Sequence, residues 1–310
     1  MPASVPFTRA RLLILTLVMA MPSVGASRGQ AGESPPETSA IESLTPDAAA
    51  RLVATFAAES GNPLSLPKLT TLDAATAKAL AEFAGAGLIL DGLTALDAPA
   101  AAALATSKCQ RLTLNGLTTL EAGVAESLAR YKGAMVSLSG LKSLDAATAK
   151  ALAGPKRQWL LLDGLTTLDA DAAAALAAFR GHYLSLAGLT RLDAPSARAL
   201  AAHKCTILSL AGLTTIDSQT ALALGASQGF VHLTGLTTLD GDTAKALAKF
   251  QGSGLLLLSG LTTLEPGIAA ALAEFKGNAL VLSGLTALDA AAAGALAQFA
   301  GHTLSLDGLT

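Results

Sequence analysis

The strongest constraint on the fold of this chain is an internal repeat of 24 residues, clearest in residues 160–183, LLLDGLTTLDADAAAALAAFRGHY. Each copy begins with Leu-x-Leu, passes through a Gly-Leu-Thr turn and an acidic residue into an Ala/Leu-rich segment, and ends at a turn. The copy near residues 225–230 is one residue shorter, and the next copy gains one near Gly254. A unit this short cannot bury its own apolar face, so the repeat predicts a stacked solenoid.

The spacing of the apolar residues predicts what each copy forms. Residues at positions i and i+2 of a strand share one face, so Leu160 and Leu162 are expected to point inward. Ala173 and Leu176 lie three residues apart in the expected helix and meet them. We therefore predict an α/β, right-handed repeat solenoid, with a parallel sheet on one face, short helices on the other and one continuous core.

The N-terminus is predicted to be a signal peptide, residues 1–26. Arg9 and Arg11 precede an apolar run at residues 12–24, and small residues follow at 24–26. The run is too short for the roughly 20 residues that span a bilayer, so we expect no membrane span after cleavage; an uncleaved anchor is the alternative. The chain is therefore expected to be secreted, or to lie in the periplasm or cell envelope.

The remaining boundaries follow from composition and from the repeat. Residues 27–40 are rich in Ser, Gly, Pro and Glu and predict a flexible linker. Residues 41–63 are expected to form an N-terminal capping segment, with a helix at about 46–58, a cap at Thr45 or Asp47, and Leu52 and Phe56 facing inward. Residues 64–310 form the solenoid, about ten full repeats ending within a repeat. An open sheet edge there favours self-association.

The two cysteines, Cys109 and Cys205, occupy the same position four repeats apart. At the usual strand spacing they lie about 19 Å from each other, whereas a disulfide needs Cα atoms within about 7 Å. We therefore predict no disulfide between them. Most other copies have Gly at this position, which indicates a helix-ending turn; an intermolecular disulfide is the alternative.

One acidic residue precedes each complete helix. Asp is a favoured N-cap, because its carboxylate accepts a backbone N–H bond at the positive end of the helix dipole. A calcium ladder is the alternative, but calcium needs several oxygen ligands at one point, and each layer offers one carboxylate. The ten residues are Asp73, Asp97, Glu121, Asp145, Asp169, Asp193, Asp217, Asp240, Glu265 and Asp289.

The LxLxGLTxL unit in 24-residue copies resembles the leucine-rich repeat, most of all its bacterial variants in which LxLxG is followed by a helix. The resemblance covers residues 64–310 and implies a curved solenoid whose usual role is recognition. Two positions differ from the common pattern: Gly or Cys replaces the first leucine, and Leu (Leu93 and Leu117, for example) replaces the asparagine. The asparagine ladder that sets the usual turn and curvature is therefore absent.

The sequence predicts no enzyme, no cofactor and no metal site. The four histidines, His182, His203, His232 and His302, are dispersed, and no zinc spacing or phosphate-binding glycine loop is present. Residues 225–229 match G-x-S-x-G, but that motif needs a strand-to-helix turn, and Ser227 is expected to leave a helix and enter a strand. The match is best explained by chance.

Charge also argues against nucleic-acid binding. The chain has 21 Lys and Arg against 23 Asp and Glu, and charged residues make up only 14%, against roughly 25% in average soluble proteins. The linear sequence shows no basic stripe that could neutralise phosphates. We therefore predict no nucleic-acid partner.

The candidate binding residues precede or separate the strand leucines and are expected to point outward from the sheet. A contiguous apolar patch of this kind marks an interaction surface, with Trp and Tyr as common anchors. The alternative is that these side chains tuck beneath the preceding loop as an edge of the core. The candidates are Arg111, Met135, Trp159, Leu161, Tyr183, Ile207, Phe230 and His232.

Two functional hypotheses follow. The first is an exported, non-enzymatic recognition solenoid that binds a protein or cell-envelope component through its sheet face. The alternative is a structural or assembly protein of the cell envelope that associates through its uncapped C-terminal end.

Overall fold

The structure, a computed structural model, describes residues 38–56, 61–154, 157–251 and 254–310. The predicted signal peptide and nearly all of the predicted linker lie outside these residues.

Helices and strands alternate along the described chain. The helices are α1 (Pro46–Phe56), α2 (Ala74–Ala81), α3 (Ala98–Leu104), α4 (Ala122–Leu128), α5 (Ala146–Ala153), α6 (Ala170–Leu176), α7 (Ala194–Ala201), α8 (Ser218–Leu224), α9 (Gly241–Ala248), α10 (Pro266–Ala273) and α11 (Ala290–Leu296). The strands are β1 (Leu64–Ser65), β2 (Gly87–Ile89), β3 (Arg111–Thr113), β4 (Met135–Ser137), β5 (Trp159–Leu161), β6 (Tyr183–Ser185), β7 (Ile207–Ser209), β8 (Phe230–His232), β9 (Leu255–Leu257), β10 (Ala279–Val281) and β11 (Thr303–Ser305).

The strands form one open, parallel, eleven-stranded sheet in sequence order, from β1 to β11. Partners across the sheet are equivalent residues of successive repeats, such as Leu160 in β5 opposite Leu184 in β6. Each helix packs against the helix of the next repeat. The predicted α/β repeat solenoid is confirmed.

All strands except β1, which begins at Leu64 as predicted, begin one residue earlier than predicted. β5 runs from Trp159 to Leu161, so each three-residue strand places one inward leucine or valine between two outward side chains. Leu162 follows the strand, yet its N–H still donates to the carbonyl of Ser185 in β6 at 2.9 Å. The second leucine therefore belongs to the ladder of backbone hydrogen bonds although it lies outside the strand.

The core lies between the sheet and the helices and repeats the same contacts in every layer. The inward strand leucines and the helix leucines are almost completely buried; Leu160, Leu162 and Leu176, for example, have no exposed surface. Ala173 is equally buried, since a small side chain lets helix and sheet approach closely. Ala293, its equivalent in α11, is the exception and is exposed.

The glycine of each LxLxG unit is required by the close approach of neighbouring layers. A Cβ atom added at Gly116 would lie 2.3 Å from the carbonyl oxygen of Asp91 and 2.5 Å from that of Leu93. Both oxygens belong to the backbone of the preceding layer and cannot move independently. A larger residue is therefore excluded at Gly116 and at the other glycines that face a preceding layer, whereas the first copy, which follows no other strand, has Lys68 there.

The acidic residue of each repeat lies at the N-cap, as predicted. In eight helices an Asp side chain accepts a hydrogen bond from the backbone N–H three residues later, as Asp169 does from Ala172 at 2.7 Å. Glu121 and Glu265 occupy the same position, but their side chains form no capping bond. Side-chain capping by these two was wrongly predicted, because Glu is one methylene longer than the residues that cap well.

Polar side chains at the position before that glycine bond from layer to layer and take over the task of the missing asparagines. Asp91 accepts from the backbone N–H of Asn115 at 3.0 Å, and Asn115 accepts from that of Ser139 at 2.9 Å. Asp163 accepts from the N–H of Ala187 at 3.0 Å. The common leucine-rich-repeat pattern has its asparagine two residues later, and this chain has a buried core leucine there, such as Leu165.

The shortened repeat disturbs the sheet locally. β8 pairs with β9 only through His232 opposite Leu257, whereas most neighbouring strands pair through three residues. Gly254, where the next repeat regains a residue, has a φ of +75°. The insertion thus falls on a residue that tolerates the left-handed region.

α1 begins the stack. Thr45 is its cap, because its hydroxyl accepts from the N–H of Ala48 at 3.3 Å. Ala49 and Val53 are buried, while Leu52 and Phe56, the predicted inward residues, are half-buried against the core. Residues 57–60 lie outside the described chain, and the capping role of this segment stays a prediction.

Candidate recognition surface

The outer face of the sheet, on the side away from the helices, carries the predicted binding residues. Strand pairing aligns one of them from each strand in a single row. The row reads Arg111, Met135, Trp159, Tyr183, Ile207 and Phe230. Leu161 and His232 flank it at the third position of β5 and β8. We call these eight residues the outer-face row.

Aromatic rings contact one another at the middle of the outer-face row. The ring centroids of Trp159 and Tyr183 are 5.1 Å apart, with an interplanar angle of 37°. The imidazole of His232 meets Tyr183 edge-on, with centroids 6.5 Å apart. Such aromatic pairs contribute about 0.5–1.5 kcal/mol beyond the area they bury. The rings are therefore held in place before any partner arrives.

Side chains of the outer-face row shield one another from solvent. Tyr183 is only 6% exposed, Ile207 and Leu161 are also buried, and Trp159 is half-buried. Arg111, at one end, is exposed. Within the described chain, none of the eight belongs to the hydrophobic cluster between sheet and helices. They lie outside that cluster, and their role as a binding surface stays a prediction.

Two titratable groups of the outer-face row are affected by burial. Burial lowers the pKa of His232 to about 4, so its imidazole is neutral at pH 7. Its Nε2 atom has no hydrogen-bond partner among the described residues. Burial also raises the pKa of Tyr183. The imidazole at the centre of the row is thus neutral, and its Nε2 atom is buried without a hydrogen-bond partner among the described residues.

The structure brings together a Ser–His pair that the sequence interpretation did not anticipate. Ser227 Oγ lies 2.6 Å from His203 Nε2, and His203 Nδ1 lies 3.1 Å from the carbonyl oxygen of Cys205. Since that carbonyl only accepts, Nδ1 donates to it, and Nε2 accepts from the Ser227 hydroxyl. The two residues are 24 positions apart, one repeat, and this equal register was the available signal.

Burial argues against a catalytic role for this pair. Ser227 has no exposed surface and His203 is 6% exposed. Ser227 follows α8 and precedes β8, so it is not at a strand-to-helix turn. The pair therefore acts as a hydrogen bond between two layers, and burial lowers the pKa of His203.

The cysteines are free and buried, as predicted for residues four layers apart. The two cysteines occupy the repeat position that is glycine in most layers, and a side chain at this position packs against the side chain two residues earlier. In several layers that side chain is an aromatic ring over glycine; a Cβ added at Gly181 would lie 2.2 Å from Phe179 Cζ. Cys109 and Cys205 fit at this position because the residue two positions earlier is the smaller Ser107 or His203 in place of Phe or Tyr. Burial raises the pKa of Cys205 to about 12, so it is a thiol.

Arg157 stands at the same repeat position as Cys109 and Cys205, in the layer that follows the one with Tyr131. It is 2% exposed, and its Nη2 atom donates to the carbonyl of Leu128 at 3.3 Å. Its Nε and Nη1 atoms have no hydrogen-bond partner in the described chain. Burial lowers its pKa to about 10, so the guanidinium stays charged at neutral pH.

Stacking collects basic residues at one edge of the solenoid. The turns before β3 to β7 carry six described Lys and Arg residues and no Asp or Glu: Lys108, Arg130, Lys132, Arg157, Arg180 and Lys204. The statement that the chain has no basic stripe is wrong, because residues 24 apart in sequence are neighbours in the fold. The absence of a nucleic-acid partner stays a prediction.

Metal binding and membrane spanning find no support in the part of the chain that the structure describes. There, no group of three or more His, Cys, Asp or Glu residues could hold a metal ion. No helix in those ranges is long and apolar enough to cross a bilayer.

Comparison with known proteins gives limited similarity. No protein-family model and no characterised protein sequence matches the chain. Among solved structures, an internalin from Listeria monocytogenes is similar over 81% of this chain and 84% of its own, with 14% sequence identity and a TM-score of 0.42. This likeness transfers no site residue and no partner to the present chain.

Proposed function

We propose that this chain is an exported, non-enzymatic recognition protein that binds a protein or cell-envelope component through the outer-face row. The single observation that supports the proposal is the contiguous run of aromatic and apolar side chains from Met135 to Phe230, opposite the core. Other layers have Gly87, Ala279 or Thr303 at this strand position, so the repeat itself does not require an aromatic residue there. Met135, Trp159 and Phe230 keep part of their surface in solvent. Apolar patches on a folded surface mark interaction sites, and Trp and Tyr are frequent anchors.

Two parts of the proposal rest on other observations. Export rests on the signal-like residues 9–26. The assignment to a variant leucine-rich repeat rests on the LxLxG unit, its 24-residue period and the parallel sheet backed by helices. A non-enzymatic role is supported by the burial of Ser227 and His203.

The proposal is tested by capture from envelope and culture-fluid proteins of the source organism, with mature protein immobilised at low density. Trp159→Ser combined with Tyr183→Ser should remove the captured protein. The comparison variant is Leu222→Ser with Leu309→Ser, which removes the two large apolar side chains that are exposed in the described chain and lie outside the outer-face row. Equal capture by all three proteins would contradict the proposal.

The captured protein provides a second readout. Trp159 is the only tryptophan of the chain, so its fluorescence reports on the outer-face row alone. With a tryptophan-free fragment of the captured protein, binding should reduce quenching by a soluble quencher. Unchanged quenching at saturating fragment would place the contact elsewhere and contradict the proposal.

A further inference from the structure

A second surface, separate from the outer-face row, is formed by the turns between α3 and β3, α4 and β4, α5 and β5, α6 and β6, and α7 and β7. We call these five stacked turns the basic edge. The chain as a whole has a net charge of −2. The described residues of the basic edge carry six positive charges and no carboxylate, so this edge is strongly polarised against the rest of the molecule.

Backbone hydrogen bonds hold the five turns in one continuous stack. The N–H of Met135 donates to the carbonyl of Gln110 at 2.9 Å, and that of Trp159 donates to Ala134 at 2.9 Å. The series continues from Tyr183 to Gln158 and from Ile207 to His182, each at 2.9 Å. The charges of the basic edge therefore follow one another layer by layer.

Most of these charges are uncompensated and accessible. Lys108 forms an ion pair with Glu82 of the preceding turn at 2.6 Å. Arg130, Lys132, Arg180 and Lys204 are exposed and form no ion pair with another described residue. The buried guanidinium of Arg157 adds a sixth positive charge beneath them.

Helix dipoles do not explain this concentration. A cation near a helix C-terminus is stabilising, but all the helices of the stack point the same way and have the same need. The turn before β8 has no charged residue, the turn before β10 has one of each sign, and the turn before β11 has none. The turn before β9 carries Lys249 and no carboxylate among its described residues. Basic residues thus recur in the five successive turns before β3 to β7, a concentration that the helix dipoles shared by all layers do not explain.

Two clefts open within the basic edge. One, of about 520 Å³, is lined by Arg157, Gln158, Arg180, Gly181, His182 and Thr206. The other, of about 380 Å³, includes Thr106, Arg130 and Lys132. Each combines basic groups with neutral hydrogen-bonding side chains, and Gln110 and Gln158 are exposed in the same five turns.

We propose that the basic edge binds a linear anionic polysaccharide lying across the layers. Basic side chains recur in every layer, and layers of a parallel sheet are about 4.8 Å apart, which suits a polymer with an acidic group on successive sugars. Gln and Thr side chains beside the cations can bond to sugar hydroxyls. The aromatic residues of these turns, Tyr131 and Phe179, are buried. His182 is the one exposed aromatic ring in the described part of these turns, and a single ring cannot stack successive bases, which disfavours single-stranded nucleic acid.

The test measures binding of the mature protein to polygalacturonate, with neutral dextran of equal length as the comparison polymer. The basic-edge variant combines Arg130→Ser, Lys132→Ser, Arg180→Ser and Lys204→Ser. The control variant combines Lys78→Ser, Lys150→Ser, Arg191→Ser and Arg198→Ser, which removes two Lys and two Arg that are also exposed but lie elsewhere. Both variants change the net charge equally.

The expected result is binding of polygalacturonate, and not of dextran, that weakens with salt. The basic-edge variant should bind at least about tenfold more weakly. The slope of the logarithm of its binding constant against the logarithm of salt concentration should be smaller in magnitude by about three to four, because each lost cation removes about one released counterion. The control variant should bind like the natural sequence. Equal loss in both variants would show a net-charge effect and overturn the proposal, as would absent binding.

A separate arm uses an oligothymidylate of equal charge. Tighter binding of that probe than of polygalacturonate would overturn the polysaccharide assignment in favour of nucleic acid. The proposal does not depend on the outer-face row, because Trp159→Ser with Tyr183→Ser should leave polygalacturonate binding unchanged. Failure of either proposal is therefore visible without the other.

Discussion

The two faces of the sheet are formed by alternate residues of the same strands, and they differ in how they vary. On the core face, leucine or valine recurs in every layer, and the side chains are almost fully buried. On the outer face, adjacent layers carry residues as different as Arg111, Met135 and Trp159. The uniform face determines the fold, because each layer must fit the next, while the variable face is free to differ from layer to layer.

The largest expected effect separates the two faces at neighbouring residues of β5. Leu160→Ala removes a core side chain from a packed layer and should lower the free energy of unfolding by about 2–5 kcal/mol. Leu161→Ala removes an equal volume from the outer face, where neighbouring side chains can move into the space. We expect less than half the loss, measured by urea denaturation of both variants. Equal losses would mean that the outer face is as tightly packed as the core.

The sequence predicts the uniform face well and the variable face poorly. Leu160 and its equivalents recur in all eleven layers, as leucine in nine and valine in two, and a period of 24 admits one simple stacking. The strand boundary was one residue out, because Leu-x-Leu was taken as the strand, whereas Trp159 starts it. The outward direction of Tyr183 followed from alternation, but its burial against Trp159 depends on side-chain contacts across strands.

Polar contacts between layers were the least predictable. Asp91 and Asn115 form a hydrogen-bond ladder at a repeat position different from that of the asparagine ladder in the leucine-rich repeat. Ser227 and His203 share a register, yet only the fold shows that their side chains point toward each other. The basic edge likewise arises only when residues 24 apart are stacked.

The second prediction concerns this polar exception within the repeated packing. Ser227→Ala leaves the buried Nε2 atom of His203 without its donor, and an unsatisfied buried acceptor costs about 1–3 kcal/mol. The free energy of unfolding should fall by that amount in urea denaturation. The control is Ser143→Ala, which removes a hydroxyl from an exposed turn residue and should change stability little. Similar values for both would mean that the Ser227–His203 bond adds nothing to the stack.

The smallest effect is a pH dependence that originates from His203. Because burial lowers its pKa, the folded chain binds this proton more weakly than the unfolded chain, where a His titrates near 6.5. The stabilising effect of a neutral His203 is therefore present above about pH 6.5, and it is lost as the pH falls below that value. Urea denaturation at pH 7.5 and pH 5 should show the loss.

The control rebuilds the common pair of an aromatic ring over glycine in this layer, by combining His203→Phe, Cys205→Gly and Ser227→Ala. His232, whose pKa is lowered to about 4, remains in both proteins, so the difference between their pH profiles isolates His203. The rebuilt layer should lose less stability on acidification than the natural one. If the two profiles run parallel, His203 is not the group that titrates, and its layer differs from the aromatic layers only in shape.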